Sequence, residues 1–122
     1  MSDKENKSKE LERIMSNCYG TENYYTNQFL HFKYTDGVDT FCKTAGAYWL
    51  LDIVESIIRD KPSYFDDFVV IKLTVQDNCK GLITFEDSEN VFYKQDIPFT
   101  DCPKGEWLFY YDNNVFFWNG EY

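Results

Sequence analysis

Around Pro62 the apolar residues of this chain switch from a helical period to a strand period, and that switch restricts the fold more than any other feature. Before it, Leu50, Ile53, Val54 and Ile57 recur at i, i+3, i+4 and i+7, while Asp52, Glu55, Ser56 and Arg59 share the opposite face. Tyr48, Trp49, Leu51 and Ile58 widen the apolar stripe, so the spacing predicts a deeply packed helix over 45–59. Gly46 would let its first turn approach a neighbour closely. Pro62 stops it, because proline has no amide to donate and restricts the residue before it.

After Ser63 the period falls to two. Val69, Ile71, Leu73 and Val75 alternate with Val70, Lys72, Thr74 and Gln76, the pattern of a half-buried strand. Turn residues at 77–81 and 87–90 bound further strands at 82–86 and 91–97, and Pro98 marks the end of the last. Strands at 107–111 and 115–118 flank Asp112-Asn113-Asn114, a hairpin signal. Ahead of the core helix, Leu11, Ile14 and Met15 end a first helix that starts with a capping-box spacing at Ser2 and Glu5 and should fray before about Lys9. Residues 18–32 show neither period and are expected to form an ordered, aromatic-anchored loop, after which Thr35 or Asp36 offers a helix N-cap. The expectation is one α+β domain over 1–122: an amino-terminal helix (1–16), a loop and core helix (17–62), and an antiparallel meander of about five strands (63–122).

Charge bears most directly on partners. There are 21 acids against 12 bases, a net −9. Asp3, Glu5, Glu10 and Glu12 balance Lys4, Lys7, Lys9 and Arg13, so the excess belongs to the body. After Leu82, eight acids face only Lys94 and Lys104. Such a field repels phosphate backbones and steers association with basic surfaces, although plain solubility would explain it equally well. Nothing approaches the ~20 apolar residues of a membrane span, and the charged amino terminus is unlike a secretory signal; a cytoplasmic protein is expected. Cys18, Cys42, Cys79 and Cys102 form no close pair, which favours reduced thiols over disulfides or a zinc site.

The residue types that could do chemistry mostly have simpler roles. His31, the only histidine, has no nucleophile paired with it in sequence and is expected to be structural. Asp52 and Glu55 sit on a helix face shared with Ser56 and Arg59, which should be solvated, with Glu55 and Arg59 forming an i,i+4 pair. Asp36-Gly37-Val38-Asp39 lacks the alternating ligands of a calcium loop, and capping accounts for Asp36. No metal or cofactor is expected. The acids Asp66, Asp67, Glu86, Asp87, Glu89 and Asp96, together with the aromatics Tyr110 and Trp118, are the candidate partner-binding residues. Aromatic residues on both faces of 107–111 and 116–118 imply a sheet covered twice, buried in a homodimer, or exposed for a partner.

Tyr19-Gly20-Thr21-Glu22-Asn23-Tyr24-Tyr25, Tyr34-Thr35-Asp36-Gly37-Val38 and Ala45-Gly46-Ala47-Tyr48-Trp49-Leu50-Leu51-Asp52 together resemble a family of small uncharacterised proteins of bacteria, phages and mobile elements. The resemblance extends to the late Ile97-Pro98-Phe99-Thr100-Asp101. It supplies no catalytic residues; where the family typically has a basic residue and histidine after the tyrosine pair, Thr26-Asn27 stands here. What it implies is context: small acidic proteins on such elements are often inhibitors of host defence, among them anti-CRISPR proteins that occupy the basic channel of an RNA-guided nuclease. The resulting expectation is a non-enzymatic, protein-binding inhibitor that makes no direct contact with nucleic acid or membrane. Two alternatives remain: a small enzyme or ligand-binding domain using Glu22, Tyr24, Tyr25 and Asp36, and a housekeeping interaction module.

Overall fold

The computed structural model describes residues 3–122. The Ser2–Glu5 capping box expected at the amino terminus therefore lies outside the described residues. Helix α1 (Asp3–Ser16) buries Leu11 and Met15. It is anchored earlier than the sparse apolar pattern suggests, since Ser8 is buried and its hydroxyl donates to the Lys104 carbonyl.

The helical region divides in two. Thr35 caps α2 (Asp36–Ala45), its hydroxyl accepting from the Val38 amide, and α3 (Trp49–Asp60) follows after a short break. The break is at Gly46, which adopts φ 64° and returns its amide to the Cys42 carbonyl, a left-handed C-cap that a side chain would strain. The expected helix over 45–59 thus merged the end of one helix with the whole of another, because apolar spacing runs through Ala45 and Ala47 without registering the backbone reversal. Gly46 makes no close approach to a neighbour; its role is conformational. A 3₁₀ turn (Pro62–Asp66) leads from α3 into the sheet.

The sheet has seven strands: β1 (Tyr24–Tyr25), β2 (Lys33–Thr35), β3 (Val69–Val75), β4 (Gly81–Glu86), β5 (Val91–Ile97), β6 (Gly105–Asp112) and β7 (Val115–Trp118). Their order is β1-β2-β7-β6-β3-β4-β5. The five expected strands are present within two residues of their expected bounds, but the sheet is mixed and only β3–β5 form a meander. β6 crosses back to pair with the far side of β3, and β2 pairs in parallel with β7. β3 is an interior strand, flanked by β6 and β4, and its inward residues Val69, Ile71 and Leu73 are fully buried. The Asn113-Asn114 hairpin has both residues at positive φ, the two-residue turn that matches strand twist.

All three helices contribute to one apolar cluster on a single face of the sheet. Val38, Phe41, Leu50 and Val54 meet Ile71, Leu73, Ile83, Phe85, Trp107 and Phe109 there. Cys42 and Cys102 are buried in this cluster, all four cysteines are free, and burial pushes both buried thiols up to about 12. Among the described residues no helix is long and apolar enough to cross a membrane.

Candidate functional site

The register brings three connections to one end of the sheet. Val70 faces Glu86 on one side and Tyr110 on the other, while Asp112 follows Tyr111 opposite Val69. Residues 62–68, 86–90 and 112–114 therefore share that end, and they hold Asp66, Asp67, Glu86, Asp87, Glu89 and Asp112 with no lysine or arginine. Asp87 folds its own turn, accepting at 2.8 Å from the amides of both Glu89 and Asn90. Those amides hold its carboxyl below the usual range, so it stays charged. Asp96 is elsewhere, opposite Leu82, four residues along β4 from Glu86 or ~13 Å at the rise of a strand. The nearby cations of α3 and its end are already engaged, Arg59 with Glu55 at 2.7 Å and Lys61 with Asp60 at 3.8 Å.

Glu86, Val70, Tyr110 and Phe117 form one row on the sheet face opposite the helices. Tyr110 packs there with Phe68 at 5.0 Å, Tyr122 at 5.5 Å and Phe117 at 5.8 Å, and no described helix covers them. Trp118 lies on the other face, packed against Phe109 at 5.4 Å. The aromatics on both faces are explained by a core on one side and a half-exposed cluster on the other, the latter continuous with the acidic end.

The motif-bearing loop is fastened by two carboxylates. Asp36 accepts from the amides of Glu22 (3.0 Å) and Asn23 (2.8 Å) and from the Tyr25 hydroxyl (2.9 Å), while Tyr25 stacks on Tyr34. Glu121 accepts from the Thr21 and Thr35 hydroxyls and the Gly37 and Trp118 amides. These hydrogen bonds give the Gly20–Tyr25 and Tyr34–Val38 motifs a structural reason to occur together. Glu22 and Tyr24 remain exposed, with Tyr24 beside an open depression of about 320 Å³ that also meets Thr21, Asp112, Phe117 and Glu121.

On the helix face expected to be solvated, Asp52, Ser56 and Arg59 are exposed, but the Glu55 carboxylate is buried. Only 8% exposed, it takes the His31 amide, the His31 ring through Nδ1 at 2.6 Å, and Arg59 Nε at 2.7 Å. Arg59 also donates to the Phe29 carbonyl, so one buried acid ties the 26–32 segment to α3. Burial alone would push the Glu55 carboxyl up, but these donors outweigh it and the group lies below its usual value. A carboxylate on Nδ1 fixes the orientation of the ring, as in sites where histidine serves as a general base. The ring is 65% exposed, however, and among the described residues no hydroxyl or thiol is bonded to it. The i,i+4 spacing disclosed the Glu55–Arg59 pair, but nothing in sequence could point to His31, 24 residues away.

Asp36 and Glu55 both have depressed pKa values in the folded state. Groups of that kind stabilise the fold above their unfolded values, near 3.8 and 4.5, and lose the contribution as pH falls through the lower folded values. The urea midpoint should accordingly hold steady above about pH 5 and fall below it. Asp36→Asn should flatten part of that acid limb, and an unchanged limb would remove Asp36 from the account.

Fold and surface together define a class: a small two-layer α+β domain with helices on one side of a mixed sheet, a half-exposed aromatic cluster on the other, and acidic connections at one end. Among the described residues no three His, Cys, Asp or Glu side chains gather to hold a metal ion. The chain belongs to the DUF6876 family, a family of unknown function, which matches residues 9–122. No curated protein and no solved structure matches it.

Proposed function

We propose that this chain is a non-enzymatic, protein-binding inhibitor whose acidic sheet end docks on a basic, nucleic-acid-binding surface, with an RNA-guided defence nuclease of the host cytoplasm as its target. The supporting observation is the gathering of Asp66, Asp67, Glu86, Asp87, Glu89 and Asp112 on three cation-free connections beside Tyr110. Six like charges at one end produce a field that attracts a cationic channel and disfavours nucleic acid. Tyr110 and Phe68 add the amphipathic aromatic area on which interface affinity commonly rests. Such a protein competes with the guide or target strand for the same arginines and lysines, and phage or mobile-element carriage would suit that role.

The ligand-binding alternative rests on the depression beside Tyr24. It is the weaker reading because Asp36 and Tyr25 already satisfy each other and the loop amides.

The test begins with capture from a host lysate containing RNA-guided effectors, followed by a cleavage assay with the recovered nuclease. The wild-type chain should inhibit cleavage, with inhibition fading as salt rises. Glu86→Lys combined with Asp87→Lys should weaken binding about tenfold. Recovery of no nuclease, or inhibition indifferent to these changes, would overturn the proposal.

A further inference from the structure

The sheet ends on one side at β5, a seven-residue strand paired only with β4, so one row of its amides and carbonyls faces outward. Open edges of this length invite another strand, and proteins commonly blunt them with a lysine or a proline. β5 has Lys94 and is followed by Pro98, which fits blunting. It also has Asp96 two residues from Lys94 on the same outer face, which blunting does not call for. Both side chains are exposed, and neither has an ion-pair partner among the described residues.

We infer that β5 is a self-complementary edge that pairs antiparallel with β5 of a second copy of this chain, centred on Gln95. Two strands related by a twofold axis perpendicular to the sheet keep their outer faces on the same side. In the register centred on Gln95, Lys94 lies opposite Asp96 of the second copy, and the same pair recurs by symmetry. On the inner face Tyr93 lies opposite Ile97. Registers centred on Lys94 or on Asp96 place like charges directly opposite each other, which is destabilising. Odd registers would set an outer residue against an inner one and break the pleat. Val91, 42% exposed, lies beyond the bulge at Phe92, and Phe99, 67% exposed, lies beyond Pro98, so both flank the paired segment without extending its register. The two sheets become continuous, and the acidic ends point in opposite directions, leaving both free for a partner.

Sedimentation equilibrium of the full chain across a wide concentration range tests this, with circular dichroism to verify folding. The wild type should dimerise reversibly. Lys94→Asp sets two acids opposite each other and Asp96→Lys two bases, so each single change should weaken association about tenfold. The combined Lys94→Asp/Asp96→Lys chain restores unlike pairs and should recover wild-type association. A wild type that stays monomeric, or a dimer indifferent to the single changes, overturns the inference. Neither result bears on the acidic end, because Lys94 and Asp96 lie outside it.

Discussion

Phe41→Ala should lower the free energy of unfolding by about 3–5 kcal/mol, read as a shift in the urea midpoint at constant slope. Phe41 is fully buried on α2, with its ring edge-on to Phe109 at 4.9 Å and tilted against Trp107 at 5.6 Å. Those neighbours are themselves fixed, Phe109 by Phe116 at 5.3 Å and Trp107 by its indole hydrogen bond to the Pro103 carbonyl. A cavity walled by rigid aromatics cannot collapse, and for that reason the cost belongs near the upper end of the large-to-small range. The exposed Phe99 provides the contrast: Phe99→Ala should shift the monomer's midpoint by less than about 1 kcal/mol. A loss below about 1.5 kcal/mol at Phe41 would show that α2 does not seat on β6 through this ring.

The second large effect is expected at the penultimate residue. Glu121→Ala should cost about 2–3 kcal/mol, well beyond what a half-exposed side chain ordinarily contributes. Its carboxylate receives hydroxyls from Thr21 at 2.7 Å and Thr35 at 2.6 Å, and amides from Trp118 at 2.9 Å and Gly37 at 3.1 Å. Thr35 is 1% exposed, so its hydroxyl would lose this acceptor with little water to replace it. The Gly37 amide belongs to the first turn of α2, whose positive end a carboxylate also favours. Gly37→Ala should act through the same anchor, since a methyl there would sit 2.7 Å from the Glu121 carboxyl carbon and 3.0 Å from Trp118 Cβ. The double variant should then lose less than the sum of the two single losses. Strict additivity would mean that Gly37 serves the loop independently of Glu121.

Both experiments probe long-range attachments, and these separate what was legible in the sequence from what was not. The core helix, the five later strands, the Thr35 cap and the Asn113-Asn114 turn were readable because each depends on residues at most four apart. The split at Gly46 was missed because its signal is a backbone angle, which an apolar count does not register. Strands β1 and β2 were missed because two or three residues have no period of their own; Lys33–Thr35 is a strand only because Val115 and Phe116 lie alongside it. Asp66, Asp67, Glu86, Asp87 and Glu89 could be nominated from composition and turn position, but the register of β3 with its neighbours decided that they share one end of the sheet and that Asp96 does not.

By itself, then, the sequence determined the helix-then-sheet order, the amphipathic faces and the excess of acid, all of which follow from local periodicity and charge. The parallel β2–β7 pairing, the return of β6 to β3, and the roles of Glu55 and Glu121 emerge from long-range packing alone. The physical reason is the reach of the interactions. Hydrophobic period is written in neighbouring residues, whereas the buried Glu55 and half-buried Glu121 carboxylates are stabilised by whichever donors the fold delivers to them, 24 and 100 residues away.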